Sequence, residues 1–241
     1  MTRRGAFLVG VALGGMGGLL ATRRAVEPRA MEHLDISQRV LAEARGEIPA
    51  AMLAARVQER YDELYAHRPR FLQPALRQHL ETGILPGLAL YQTLREEHDD
   101  QEAALAEMDR IFAAWVEHSP KRRLLRLMEH LPDPFNILRI SNRWILKTSY
   151  PPQGWRTEWV EDSEDCIAYD ISDCFYVNVL TAYGAPELTA HFCRGDDLLF
   201  GNLPGISWER TKTLGRGDDR CDFRLCRMDA SSTGSSLRNG R

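Results

Sequence analysis

Thiols, paired carboxylates and an arginine crowd into one stretch of this 241-residue chain, from Ser172 to Met228. It reads SDCFYVNVLTAYGAPELTAHFCRGDDLLFGNLPGISWERTKTLGRGDDRCDFRLCRM and holds four of the five cysteines, with Cys166 just upstream. Cys193 precedes Arg194-Gly195-Asp196-Asp197 and is expected just past a helix end. An adjacent arginine favours the thiolate, which suits a nucleophile or a metal ligand; a small buried hydrophobe is the plainer reading. Asp196 and Asp197 offer two carboxyls, one of which can be pushed toward the neutral form while the other stays ionised, giving an acid and a base. Capping of the following turn is the structural role expected of the other. Cys221 and Phe223 share one face of an alternating strand and Asp222 takes the other, so Cys221 is assigned to the pocket. Arg210 has the planar fork that matches a carboxylate, either a substrate's or a neighbouring strand's, and Thr213, three residues on, is expected to point the other way. Cys174 and Asn178 are four apart on a helix and share a face. Cys174, Cys193 and Cys221, with His191 or an aspartate, would make a zinc set in principle. Their spacing carries no local motif, so no metal site is assigned and no cofactor is named.

The elements that must position these groups are helical first and mixed later. From Met31 to about His130 apolar residues recur at three and four spacing. Pro49 opens a helix carrying Leu53, Val57 and Tyr61. Phe71 to Thr82 reads as another, and Pro86 opens a third running to Glu97. Asp99-Asp100 caps a fourth, striped by Leu105, Met108, Ile111, Phe112 and Trp115, and Lys121 to Leu131 is a short basic helix. Beyond Phe135, Asn142-Arg143-Trp144 and Pro151-Pro152 read as irregular chain. Trp155–Val160 and Asp165–Ile171 read as strands, with the acidic residues between Glu158 and Asp165 a solvated edge. Cys174–Ala182 and a short segment ending at Phe192 read as helices. Ile206–Leu214 and Arg220–Met228 read as strands joined by the Gly215–Asp219 turn. The fold class is α+β, a helical lobe packed on a small, mostly antiparallel sheet. The expected organisation is a leader over 1–24, a helical lobe over 31–134, a mixed region over 135–228 and a disordered tail over 229–241.

Composition is that of an ordinary soluble domain with net charge -3, and the first 24 residues contribute four arginines and no acid, leaving -7 for the rest. An acidic body without a basic stripe argues against nucleic acid as partner. Thr2-Arg3-Arg4 before the apolar, glycine-rich run to Ala21 fits an export signal of twin-arginine type with one residue inserted, or a membrane anchor. The alternative is a cytoplasmic chain. Five cysteines leave one over. None lie at C-x-x-C spacing, and Cys221 and Cys226 point to opposite faces of their strand, so mainly reduced thiols are expected.

Glu187-Leu188, Phe192-Cys193-Arg194-Gly195-Asp196-Asp197, the run from Trp208 to Gly217, and Cys221-Asp222-Phe223 together resemble the L-2-amino-thiazoline-4-carboxylic acid hydrolase family. The resemblance extends over 172–228, with a general likeness over 80–118. It implies hydrolytic opening of a five-membered C=N ring, as in conversion of 2-amino-thiazoline-4-carboxylate to carbamoyl-cysteine. That chemistry needs a proton for the ring nitrogen, a water or thiolate attacking the carbon between N and S, and a grip on the carboxylate. Asp196 or Asp197 would act as acid and base, Cys193 or water would attack with Cys221 close by, and Arg210 would hold the carboxylate beside Cys174, Asn178 and Thr213. A second resemblance, Gly217-Asp218-x-x-Cys221 before the last strand, is to 4-vinyl-reductase-like sensor domains. It implies a small-molecule- or metal-binding module without turnover.

Overall fold

The computed structural model describes residues 33–228. The expected leader and tail lie outside them. Helix α1 covers 33–45, and Gly46, at φ 89°, turns the chain into α2, Glu47–Ala66. Ala50, Leu53, Val57 and Tyr61 form the buried stripe of α2. Next come α3 (Pro74–His79), a π-helical turn over Leu80–Ile84, and α4 (Leu85–Glu97). The two helices expected on either side of Gly83 are therefore one continuous rod. Pro86 does not break it, because the wider π turn gives its ring, which has no N–H and would press on the preceding turn, the room it needs.

Asp100 caps α5 (Gln101–His118) by accepting from the Glu102 and Ala103 amides at 3.2 Å, as its position before the stripe demands. Ser119 caps α6 (Pro120–Met128). The chain from 134 onward departs from expectation. Instead of irregular chain, α7 runs over Pro134–Ser149, with Asp133 accepting from the Asn136 amide at 3.1 Å and Phe135, Leu138 and Asn142 buried at helical spacing. Asp-Pro is a strong helix start that outweighs the polar look of Asn142-Arg143.

Strands β1 (Trp155–Asp162), β2 (Cys166–Cys174), β3 (Ile206–Glu209) and β4 (Cys221–Arg227) form one antiparallel sheet in the order β1-β2-β4-β3. Helices α8 (Phe175–Ala182) and α9 (Leu188–Phe200) connect β2 to β3. The fold is α+β, as the pattern required. Strand β3 is shorter than expected, since the chain leaves the ladder at Arg210 and makes a 3₁₀ turn over Leu214–Arg216.

Three of the five cysteines are free, in line with the expectation of mainly reduced thiols, but one pair that the spacing did not suggest is bridged. Cys166 and Cys226 face each other across β2 and β4 with Cα atoms 4.1 Å apart and are joined by a disulfide. Sequence spacing hides this pair, because the two cysteines are 60 positions apart with two helices and a whole strand between them. Cys174, Cys193 and Cys221 are free. A single apolar cluster runs from Leu34 and Leu53 through Leu88 and Ile111 to Tyr169, Phe175 and Phe223, so helices and sheet share a core. A second cluster, including Leu125, Phe135, Leu199 and Leu225, seals α6, α7 and α9 against the β3–β4 side.

Candidate active site

A cavity of about 330 Å³ opens where α5, α6, α7 and α9 meet the inner face of the sheet. Its walls are mostly aromatic and aliphatic, with a few polar side chains reaching inward. Helix α9 supplies one wall. The reading that ended this helix at Phe192 is corrected: Cys193, Gly195 and Asp196 lie in its middle, and Phe192, Cys193, Asp196, Leu199 and Phe200 all line the cavity. Neither aspartate caps a turn. Val116 packs beside Gly195, where a Cβ would make an ordinary contact at 3.6 Å.

The three free thiols, Cys174, Cys193 and Cys221, all line this cavity. Cys221 is buried on the inward face of β4, as alternation predicted. Its Sγ accepts from the Leu214 amide at 3.3 Å and lies 3.5 Å from the Thr213 hydroxyl. Thr213 also eases the effect of burial on Cys193. Arg210 and Thr213 thus both turn inward, contrary to the strand-based expectation, because both lie beyond the end of β3 where alternation no longer applies. Thr213 sits behind the thiols with only 2 % of its surface exposed. Gly215 makes this approach possible, since a Cβ there would sit 2.8 Å from Cys193 Sγ and 3.1 Å from the Ala190 nitrogen. Burial pushes all three thiols up, Cys174 to about 12, and hydrogen bonds from Thr213 and nearby amides only partly offset it. At neutral pH they are thiols, not thiolates.

Asp196 faces the cavity, and burial raises its pKa, with Lys121 and Arg210 pulling the other way and Asp197 adding to the rise. Its side chain keeps 31 % of its surface open, and that surface looks into a half-open, largely apolar cavity, which keeps the direction of the shift upward. Asp197 lies behind it. It accepts from Trp208 Nε1 at 3.1 Å and from Arg210 Nη2 at 2.8 Å. Arg210, whose side chain is only 3 % exposed, also donates to Asp196 at 3.3 Å and to the Cys193 carbonyl at 3.0 Å. Its fork is occupied by groups of helix α9, not by the neighbouring-strand carboxylate that was the alternative to a substrate. Asn178 does not reach the cavity; it is exposed and bonds Asp173 at 2.9 Å, because α8 turns that face outward. His191 likewise points away, bonding Asp109 at 2.5 Å. Among the described residues no three His, Cys, Asp or Glu side chains gather as a metal-ligand set.

The helices contribute lining groups that sequence reasoning did not single out. Lys121, in the first turn of α6, enters the cavity 4.9 Å from the Phe200 ring centroid and makes no ion pair or hydrogen bond among the described residues. Burial lowers its pKa and Asp196 raises it. Tyr150, Tyr169 and Tyr176 line the cavity, and burial raises all three hydroxyls further above neutral pH. The Asn142 amide lies near Tyr169 and partly offsets the effect of burial on its hydroxyl. The signal for these residues was faint. Lys121 lay in what reads as a short basic helix, and the tyrosines were not singled out.

An α+β frame enclosing a mostly apolar chamber with a buried carboxyl, an ammonium and several hydroxyls is the layout of a protein that encloses one small polar molecule. The sequence profile of the L-2-amino-thiazoline-4-carboxylic acid hydrolase family matches residues 77–225, and the chain belongs to that family. The matched span carries every lining residue except His33. Membership implies a hydrolase and a small-molecule substrate. No curated protein matches the chain. Among the described residues no helix is long and apolar enough to cross a membrane.

Proposed function

We propose that the chain hydrolyses the ring of a thiazoline carboxylate, opening 2-amino-thiazoline-4-carboxylate to carbamoyl-cysteine. The observation that carries this reading is the family match over the span that builds the cavity. Water attacks the carbon between nitrogen and sulfur. As the O–C bond forms, Asp196 takes a proton from that water and delivers it to the ring nitrogen. Collapse of the tetrahedral carbon breaks the C–S bond, the new hydroxyl becomes the carbonyl, and its proton ends on sulfur. The raised pKa of Asp196 suits both halves of this exchange, since a group that titrates nearer neutrality accepts and returns a proton more readily.

Water is the better nucleophile here, because burial keeps Cys193 and Cys221 protonated. Lys121 is better placed than Arg210 to hold the substrate carboxylate. Arg210 already serves Asp196, Asp197 and the Cys193 carbonyl, whereas Lys121 offers its ammonium to an apolar chamber. Arg210 instead fixes the acid pair. Mass spectrometry of purified protein with the thiazoline tests the reading: ring-opened product is expected, with turnover reduced at least about a hundredfold in Asp196→Asn. Tight binding without ring opening would overturn it in favour of a ligand-holding module.

A further inference from the structure

The geometry points to Tyr176 as a hydrogen-bond acceptor that reads an N–H donor on the ligand, the amino group beside the reacting carbon. This rests on the thiazoline reading above. The assignment begins at His79, the last residue of α3. Its Nε2 lies 2.8 Å from the Ser149 carbonyl oxygen and its Nδ1 lies 3.0 Å from the Tyr176 hydroxyl. A backbone carbonyl only accepts, so Nε2 carries the ring proton. The ring packs among Tyr150, Trp155 and Tyr176. In this desolvated setting it stays neutral, which leaves Nδ1 a bare acceptor. The Tyr176 proton must then point at His79. Turned this way, the phenolic oxygen presents lone pairs and no hydrogen to any other neighbour.

The relay ends at a carbonyl, so it is a fixed orienting device and not a route for protons. Gly83 leaves space beside that oxygen. It lines the cavity, as Tyr176 does, and a Cβ at position 83 would sit 3.1 Å from the Tyr176 hydroxyl. Gly83 also lies within the π-helical turn over Leu80–Ile84, which follows His79 directly. Such turns recur at functional sites because they re-aim one helix face. A neutral acceptor held by a neutral relay, in a cavity that also holds an acid, an ammonium, thiols and further hydroxyls, discriminates by hydrogen bonding. A ligand with an N–H at this point satisfies the oxygen; one with a methyl group leaves it desolvated and unpaired.

Calorimetric titration of the full chain with 2-amino-thiazoline-4-carboxylate and its 2-methyl analogue tests the inference without requiring turnover. The unmodified protein is expected to prefer the amino compound by about tenfold or more, the usual range for one satisfied buried acceptor. Tyr176→Phe should abolish that preference by weakening the amino compound and tightening the methyl analogue, which no longer leaves a buried acceptor unpaired. Gly83→Ala keeps the relay and fills the space, so it should weaken the amino compound even if Tyr176→Phe folds poorly. An unchanged preference in either folded variant overturns the inference, as does equal binding of both compounds by the unmodified protein. Failure of both compounds to bind the unmodified protein overturns the thiazoline reading itself, and this inference with it.

Discussion

Replacing Asp196 by Asn removes the titrating group from the cavity while keeping the shape of the side chain. Replacing Asp197 by Asn, one residue on, leaves the cavity surface alone and touches only the brace behind it. In the first variant Arg210 keeps its two shorter bonds, at 2.8 Å to Asp197 and 3.0 Å to the Cys193 carbonyl, and loses only the ionic character of the 3.3 Å contact. Burial already disfavours the Asp196 anion. Stability should therefore stay within about 1 kcal/mol of the parent, the net worth of one ordinary hydrogen bond. Turnover should fall at least about a hundredfold.

The Asp197 variant gives up the closest charge on an arginine that is 3 % exposed, and a weaker acceptor then faces Trp208. Breaking a fully buried pair costs about 3–5 kcal/mol. Here Asp196 remains as a second partner and the Asp197 side chain is 37 % exposed, so about 1–2 kcal/mol is expected, or about 2–8 °C in Tm. The assay pairs thermal melts with ring opening measured per mole of folded protein, across pH. With Asp196 as the base, activity should rise with pH through a value above that of an ordinary carboxylate, and the Asn variant should lose this limb. The stability signs run the other way. The folded state holds the Asp196 proton more tightly than the unfolded chain, so this group's contribution falls as pH rises from the ordinary carboxylate range to the raised value. Asn should flatten that slope. Parent-like turnover in Asp196→Asn, or a large loss of Tm there with none in Asp197→Asn, would refute the division of roles.

Other measurements bear on separate parts of the structure. His79 is held neutral with its pKa lowered to about 4 by burial, so stability should be full above its unfolded value near 6.5 and should decline as pH falls from there toward 4, by up to about 3 kcal/mol. His79→Phe should flatten that decline in acid melts, and an unchanged slope would count against a neutral buried ring. Maleimide labelling of denatured, unreduced protein should count three thiols, with two more after reduction; five before reduction would rule out the Cys166–Cys226 bridge. Gly215→Ala places a methyl against Cys193 and the α9 backbone and should cost about 1–3 kcal/mol by chemical denaturation, the usual overpacking range. Lys121→Met should raise KM for the carboxylate substrate about tenfold or more and move kcat less, since an ion contact shared by ground and transition states acts on binding; an unchanged KM would return the grip to Arg210.

Periodicity and punctuation made the class and most elements legible before any coordinates. Asp100 before the Met108–Trp115 stripe, and the Cys221-Phe223-Leu225 alternation, are local patterns, and local hydrogen bonding and side-chain direction are enough to read them. The hydrolase family was legible as well, from the Cys193–Asp197 and Trp208–Gly217 motifs. Where neighbours in space are strangers in sequence, local rules stopped. The Cys166–Cys226 bridge depends on the register of β2 against β4, strands separated in the chain by two helices. The continuation of α9 through Asp197 depends on packing: Val116 beside Gly195 and Gly215 across Cys193 favour a helix where glycine and paired aspartates alone suggest a turn. Arg210 and Thr213 point the same way because the ladder ends at Glu209, an outcome decided by β4 and not by their own spacing. Lys121 and Tyr176 face Asp196 across a cavity that exists only once four helices close over the sheet. A polar residue on a helix becomes a site residue through what is packed opposite it, and that information lies in tertiary contacts, outside any local window of sequence.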